Sequence, residues 1–417
     1  MKERVIYVYE NWSAETPILM GKLYVSYVRG KEQFAFAYDN TWLTSESANF
    51  HLDPDLLLYN GRQYAPMDKV LFGVFADSCP DRWGRILMKR RETLQARKEN
   101  RKPNVLGESD YLLGVFDETR MGALRFKIEE NGMFLSADKE LATPPWTTLR
   151  TLEAASLGFE MDESGLEEKW LKQLLAPGSS LGGARPKATV QDEKGDLWIA
   201  KFPSKHDEVN SGAWEKVVHD LAKMCGLDVP DAKLETFSKS GSTFLVKRFD
   251  REGKKRIHFA SAMTLLGKTD GASGSDGASY MDLVSFIRQN GAAPEHDLKE
   301  LWKRIVFSMA VSNTDDHLRN HGFILTKNGW KLSPMYDVNP VPYGHNLSLN
   351  VSVNDDSISM ELAISVAEYF DIDKKEAIET VGTIKATVRD NWEKLAEECG
   401  LSRNACEYMR PAFAECV

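Results

Sequence analysis

Residues 313–338 read NTDDHLRNHGFILTKNGWKLSPMYDV. Two short apolar runs, GFIL and GWKL, flank Asn328-Gly329, and Asn-Gly between such runs predicts a two-residue hairpin turn. With the turn centred there, Asn320 falls opposite Asp337, their β-carbons about 5 Å apart if pairing persists to the open end. An amide and a carboxylate converging in this way can hold Mg²⁺, which takes few protein ligands and completes its shell with phosphate and water. Asp315 lies five residues before Asn320. It follows a predicted helix over 297–312, in which Leu298, Leu301, Trp302, Ile305 and Met309 recur at spacings of three and four.

An Asp, an Asn five residues on, and a second Asp after a hairpin is the order protein kinases use. The first accepts or orients the proton of the substrate hydroxyl, and the other two fix the metal on the nucleotide phosphates. Each residue taken singly is also ordinary turn chemistry. His317 and His321 offer a rival, because H-x-x-x-H on a helix is a zinc spacing. Here leucine follows His317 where the zinc-protease motif has Glu, and His321 abuts the GFIL strand.

A second stretch, PGSSLGGARPK at 177–187, is read with it. Glycines between a helix and a strand leave backbone N–H groups free to approach phosphate oxygens. The stretch is neither a Walker A loop nor G-x-G-x-x-G, and a simple tight turn is the other reading. Lys201 sits in the apolar strand LWIAKFP, where an unpaired ammonium is costly and a phosphate partner would compensate it. The alternative is a lysine on an edge strand whose end reaches water.

Around these stretches the chain reads as mixed. KLYVSYVRGKEQFAFAYD predicts a hairpin turning near Arg29-Gly30, and the N-terminal MKERVIYVYENW alternates as a strand rather than a signal peptide. From Val70 to Arg91 apolar residues recur at helical spacing, ending in the basic RWGRILMKRR, read as a solvated helix face. EENGMF predicts a turn, and Glu153–Leu175 a helix broken by Gly158 and Gly165. ARPKATVQDEKGDLWIAKFP reads as strand, turn, strand. A helix over Ala213–Cys225, stopped by Gly226, and the strands AKLETFSKS and STFLVKRFD follow. KTDGASGSDGASY is expected to be a mobile loop. The 417 residues carry a net charge of −9, which argues against broad binding to nucleic acid or anionic membrane. Five cysteines without C-x-x-C point to neither a disulfide framework nor a zinc ribbon. No apolar run approaches the ~20 residues of a membrane helix, and a cytoplasmic location is expected.

GSSLGGARPKA, IAKFP, LVKRFDR, SAMTLLG, NTDDHLRNHGF and LSPMYDVNP, taken together and in order, resemble the HipA family of serine/threonine kinases, the toxins of bacterial toxin–antitoxin pairs. GKLYV, FAFAYDNTWL, FGVFADSCPDRWGRILMKRR and YLLGVFDETRMGALRF extend the resemblance over most of the chain. It implies an α+β, two-lobed protein-kinase-like fold. The expected parts are an N-terminal β-rich subdomain (1–140), a mixed α/β nucleotide lobe (141–250) and an all-helical C-terminal lobe (251–417) carrying the catalytic loop and metal Asp.

By motif match, Asp315 is the implied proton acceptor, and Asn320 and Asp337 the implied Mg²⁺ ligands. ATP contacts are implied for Gly182, Gly183, Ala184, Arg185, Pro186 and Lys187 over the phosphates, with Lys201. They are implied too for Lys247, Arg248 and Phe249 at the adenine-side hinge, and for His317, Leu318, Arg319, Asn320, Tyr336 and Asp337. Arg248 and Asp250 are also expected to pair for structural reasons. The family's glycine loop carries a self-silencing phosphoserine, which matches Ser180, with Ser179 as its neighbour. The chain departs from some members of the family in three places. Arg185-Pro186 replaces Gln-Glu, and Pro186 removes an N–H donor. Lys247 replaces a Glu. Asp316 replaces a Gly, and either adds a carboxylate near the metal or points to solvent.

The implied activity is ATP- and Mg²⁺-dependent protein phosphorylation that inhibits translation, with an aminoacyl-tRNA synthetase as the precedent for a target. The implied partner is a helix-turn-helix, HipB-like antitoxin, with operator DNA reached only indirectly through it. The alternatives are a degenerate kinase acting as a corepressor or binding module, and a small-molecule kinase.

Overall fold

The computed structural model describes residues 3–137, 143–161, 174, 183 and 185–416. The chain divides into two compact units, Met1–Lys205 with Lys247–Ala260, and His206–Val246 with Ser261–Val417.

The first unit is built on an antiparallel sheet of β1 (Arg4–Glu10), β2 (Ile18–Val28), β3 (Lys31–Tyr38), β4 (Gln63–Tyr64) and β5 (Leu124–Lys127), in the order β4-β3-β2-β1-β5. The β2–β3 hairpin closes with Val28 opposite Lys31. Arg29 (φ 51°) and Gly30 (φ 79°) both take the left-handed conformation, which matches the right-handed strand twist. Alternation along these strands buries Ile6, Val8, Leu23, Val25, Phe34 and Phe36 in one core.

The helical recurrence after Val70 resolves into a short turn over Gly73–Ala76 and then α1 (Arg82–Lys98). Pro80 separates them, and the Asp81 carboxylate caps α1 by accepting from Gly84 N at 2.8 Å. Two further helices follow, α2 (Glu108–Gly114) and α3 (Leu149–Met161). The helix expected over 153–175 is therefore described as far as Met161. EENGMF does turn, Gly132 N donating to Glu129 O at 2.9 Å. β6 (Lys187–Gln191) and β7 (Leu197–Lys201) pair as the expected hairpin.

The segment 247–260 is tied into this unit by buried charge. Asp250 is fully buried and accepts from Arg248 Nε (2.9 Å), Arg248 Nη2 (2.7 Å), Arg251 Nη1 (2.6 Å) and the backbone N–H of Gly122 (2.8 Å). Burial acts to raise the Asp250 carboxyl, but the two guanidinium groups outweigh it and hold it well below the usual range. Arg248 also donates to Thr119 O at 2.7 Å, and Arg251 to Arg120 O at 2.7 Å. Arg120, equally buried, donates to four carbonyls, those of Ser78, Leu112, Val115 and Leu135. Gly122 (φ 72°) leaves no room for a β-carbon, which would stand 3.2 Å from Phe259 N.

The second unit is mainly helical: α4 (Ser211–Met224), α5 (Tyr280–Asn290), α6 (Pro294–Ala310) and α7 (Lys374–Glu398). It also holds the antiparallel pair β8 (Ala232–Ser238) and β9 (Gly241–Lys247) and the hairpin β10 (Gly322–Thr326) with β11 (Gly329–Leu332). The α4 helix begins on the Asn210 cap and stops at Gly226 (φ 74°). Trp214, Trp392 and Phe413 pack in its core, Trp392 stacked on Phe413 with centroids 4.5 Å apart.

Two expectations are corrected. The β10–β11 turn is Lys327-Asn328, with Thr326 opposite Gly329 and Phe323 opposite Leu332. Neither turn residue has a positive φ, so this is not the turn that Asn-Gly predicts. Gly329 instead sits in the strand at φ 128°, where a β-carbon would lie 2.7 Å from Asn290 O. The register moves accordingly, and the ladder ends at the Phe323–Leu332 pair, two residues before Pro334, so pairing does not set Asn320 opposite Asp337. Second, the 268–280 loop is pinned. Gly274 N donates to Ser348 O at 2.8 Å, Asn350 Nδ2 to Gly274 O at 2.8 Å, and Ser273 and Asp276 form a capping box.

Asp250→Ala leaves two buried guanidinium groups without their carboxylate, which typically costs about 3–5 kcal/mol. Urea unfolding of the full chain is expected to show a loss of that order. A loss below about 1 kcal/mol contradicts the importance given to this cluster.

Candidate active site

The loop after α6 is held from below by one carboxylate. Asp316 is buried, its Oδ2 accepting from Tyr280 OH at 2.6 Å and from Ser308 Oγ at 3.3 Å. His321 Nε2 lies 2.8 Å from its Oδ1, an ion-pair distance but out of line for a hydrogen bond. Burial acts to raise the Asp316 carboxyl, yet His321 and the hydroxyl donors bring it below its ordinary value. Asp316 therefore neither points to solvent nor presents a free carboxylate. The hydroxyl of Tyr280 is pushed well above its usual range by burial and by Asp316.

With Asp316 anchored inward, the neighbouring Asp315 faces outward, its side chain 77% exposed. Its carboxyl is raised, first by desolvation, opposed by His317, and further by Asp337 and Asp316; solvent screens much of this. His317 Nε2 stands 3.8 Å from Asp315 Oδ1. Asn320 is buried and its Nδ2 donates to Asp315 O at 2.8 Å. That bond fixes the amide plane and leaves Oδ1 buried with no hydrogen-bond partner among the described residues. An acceptor oxygen in that state suits a cation that prefers oxygen ligands.

Asp337 takes the left-handed conformation, φ 57°, a strained setting that Asp tolerates better than most residues and that clusters at functional sites. The strand before it is held by Leu332 N on Asp297 Oδ2 (2.8 Å) and Met335 N on Asp228 O (2.8 Å). Tyr336 OH donates to Arg319 O at 2.8 Å, which ties the segment to the loop. Leu318 is buried, and Arg319 pairs with Asp270 at 3.5 Å. The two histidines of the zinc alternative have unlike settings, since His321 is committed to Asp316 and His317 is half-exposed. Among the described residues no group of three His, Cys, Asp or Glu could hold a metal.

In the first unit, Ser179, Ser180, Gly182 and Ala184 lie outside the described residues. Gly183 has φ 87°, and a β-carbon there would meet Lys187 Nζ at 3.1 Å. Lys187 opens β6 directly opposite Lys201 in β7, both side chains buried. Two ammonium groups facing across a ladder repel unless anions compensate them. Asp81 supplies one, its Oδ2 3.1 Å from Lys187 Nζ while its Oδ1 caps α1. Sequence reasoning missed Asp81; its signal was an Asp after Pro80, the N-cap position of a basic helix.

Pro186 O accepts from Phe202 N at 2.9 Å, and Arg185 Nη2 donates to Phe202 O at 3.5 Å. At 247–249, Lys247 pairs with Asp196 at 2.5 Å and Phe249 packs on Phe259. The Arg248 side chain is spent on Asp250 and Thr119, and its N–H on Leu197 O.

Residues 179–410 match the family of HipA-like C-terminal domains. The chain belongs to that family. Among its relatives, a Haemophilus influenzae protein provisionally named as a kinase is 30% identical over 194 residues, 41% of this chain and 56% of that one. The serine/threonine-protein kinase toxin HipA of Shewanella oneidensis is 24% identical over 260 residues, 54% of this chain and 55% of its own. The chain spans about half the length of the curated relatives it matches. HipA of Shewanella oneidensis MR-1, solved in complex with HipB and its operator DNA, aligns over 99% of this chain and 96% of that one. The TM-score is 0.68 at 17% identity. The HipA fold is thus established: α+β, two-lobed and protein-kinase-like. No helix among the described residues is long and apolar enough to cross a membrane.

Asp316→Ala strips Tyr280, Ser308 and His321 of a buried partner. It is expected to lower unfolding free energy by about 2–4 kcal/mol, and Tyr280→Phe by about 1–2 kcal/mol. Urea unfolding of both variants checks this; an Asp316→Ala loss no larger than that of Tyr280→Phe overturns the anchoring role.

Proposed function

We propose that this chain is an ATP- and Mg²⁺-dependent serine/threonine protein kinase of the HipA type, acting as the toxin of a toxin–antitoxin pair. The observation that carries the reading is Asn320: its amide nitrogen donates to the Asp315 carbonyl, and its side-chain oxygen is buried without a hydrogen-bond partner among the described residues. Asn320 and Asp337 hold Mg²⁺, which, when bound, neutralises charge on the nucleotide phosphates. Asp315, exposed and raised, orients the substrate hydroxyl and accepts its proton, a role that positioning and modest basicity suffice for. His317, Leu318, Arg319 and Tyr336 border those ligands in sequence and complete the nucleotide contacts. Lys201 contacts the ATP phosphates. Lys187, paired with Asp81, supports the loop from Gly182 to Pro186 that covers them. Lys247, Arg248 and Phe249 meet adenine, Arg248 through its backbone carbonyl because its side chain and N–H are engaged.

Ser180 is the residue that self-silences the enzyme when phosphorylated, since a phosphate adds about −1.5 to −2 charges where ATP phosphates must bind. The partner is a HipB-like helix-turn-helix antitoxin, and the target a translation protein such as an aminoacyl-tRNA synthetase. The solved relative bound to HipB and operator DNA supports the partner, and the kinase names of the relatives support the activity.

Asp315→Asn is expected to keep the fold and the ATP–Mg²⁺ thermal shift while losing about 10²–10⁴-fold in transfer of labelled phosphate from ATP. A near-normal rate sinks the assignment. Asn320→Ala and Asp337→Ala are expected to abolish the Mg²⁺-dependent part of the thermal shift, and a shift equal to wild type refutes the ligand set. Mass spectrometry after incubation with ATP and Mg²⁺ is expected to find phosphate on Ser180, absent in Asp315→Asn. Phosphate on neither Ser179 nor Ser180 in active protein refutes self-silencing.

A further inference from the structure

The 82–102 segment carries nine Lys or Arg and two Glu in a chain of net charge −9. Arg85 is clamped by Glu108 at 2.6 and 2.7 Å and lies over the Tyr111 ring. Arg90 lies over Phe159. Arg101 takes both glutamates of the segment, Glu92 and Glu99. The apolar residues Trp83 and Leu87 are buried in a cluster with Ala155.

One outward stripe is formed by Arg82, Ile86, Lys89, Thr93 and Arg97, at helical steps of four, three, four and four; Arg91, Lys98 and Lys102 lie off it. Arg82, Lys89 and Arg97 are exposed and make no ion pair among the described residues. No carboxylate lies within the stripe. At 1.5 Å per residue the three cations stand about 10 and 12 Å apart along the axis.

We infer that this face of α1 binds the phosphate backbone of duplex DNA directly. Three uncompensated cations on a rigid helix, fixed in line by burial of the opposite side, are suited to a regular array of phosphates. A membrane surface fits less well. The stripe offers only Ile86 for insertion; Trp83, Leu87 and Ala96 are buried, and Leu94 packs half-buried against the Trp83–Leu87 cluster. An acidic protein interface would ordinarily add an aromatic anchor, which this stripe lacks. Single-stranded nucleic acid calls for exposed aromatic rings, which this face lacks. The acidic balance of the whole chain disfavours DNA contact in general, and α1 is the local exception. The inference uses none of the nucleotide or metal residues, so it stands or falls apart from the kinase reading.

The test is fluorescence anisotropy of the full chain, without antitoxin, on a labelled random-sequence duplex between 50 and 200 mM NaCl. Three phosphate contacts predict a slope of log affinity against log salt of about −2.7, or about 40-fold over that range. R82Q/K89Q/R97Q is expected to flatten the slope by about that amount and to weaken binding at 50 mM at least about tenfold. K375Q/K394Q/R403Q, which removes the same charge from exposed positions of the second unit, is expected to change neither. Lys89→Glu alone, at one exposed position, is expected to weaken binding in the same direction and guards against misfolding of the triple variant. An unchanged slope in R82Q/K89Q/R97Q, an equal loss in the control, or no duplex binding at 50 mM overturns the proposal. So does displacement of the duplex by poly-glutamate as readily as by unlabelled duplex.

Discussion

A single buried carboxylate sets the geometry of the loop that follows α6. Asp316 has no water to solvate it, so its charge must be met by Tyr280, Ser308 and His321, which come from α5, α6 and the start of the β10–β11 hairpin. Once that triangle closes, few backbone paths remain from Ala310 to Gly322. The path taken puts Asp315 outward and Asn320 inward, with the Asn320 amide on the Asp315 carbonyl. The outward and inward residues of the loop are thus a consequence of where one charge is buried. The left-handed Asp337 depends on the same unit, because its preceding strand hangs on Asp297 and Asp228, and Tyr336 returns to the loop at Arg319.

The first unit uses the same device with the signs arranged differently. Asp250 gathers two guanidinium groups, and Asp81 divides its two oxygens between a helix cap and Lys187. In both places a carboxylate is taken out of water and compensated by several donors, which costs desolvation but permits few geometries. Hydrophobic packing alone tolerates sliding; a carboxylate with three or four assigned donors does not.

Local signals in the sequence were legible where the reason for a residue is itself local. Arg29-Gly30 was readable as a turn because a tight hairpin demands positive φ there, and it has it. The stop at Gly226 follows from the same kind of signal, whereas α6, expected to reach residue 312, ends at Ala310. Asn328-Gly329 misled because Gly329 is required by the approach of the Asn290 backbone, a tertiary cause with no trace in its flanking residues. The polar 268–280 loop reads as mobile from composition, yet Ser348 and Asn350 pin it from more than seventy residues away. Asp315 and Asn320 were legible from their spacing, whereas the work of Asp316 was not, because Tyr280 lies 36 positions upstream. Asp81 was hidden for the same reason: its partner Lys187 belongs to a strand far down the chain.

The return of residues 247–260 to the first unit has a consequence for how the chain is made. Among the described residues, the carbonyls of Thr119 and Arg120 and the amide of Gly122 take their partners from Arg248, Asp250 and Arg251, about 128 positions later. At about 5–20 residues per second a ribosome needs roughly 6 to 25 s to cover that distance. Throughout that interval the N-terminal sheet is outside the exit tunnel with a polar seam still open. Over that interval the nascent chain meets chaperones and proteases with this seam unpaired, and it completes that sheet's lining only as α5 is about to be translated.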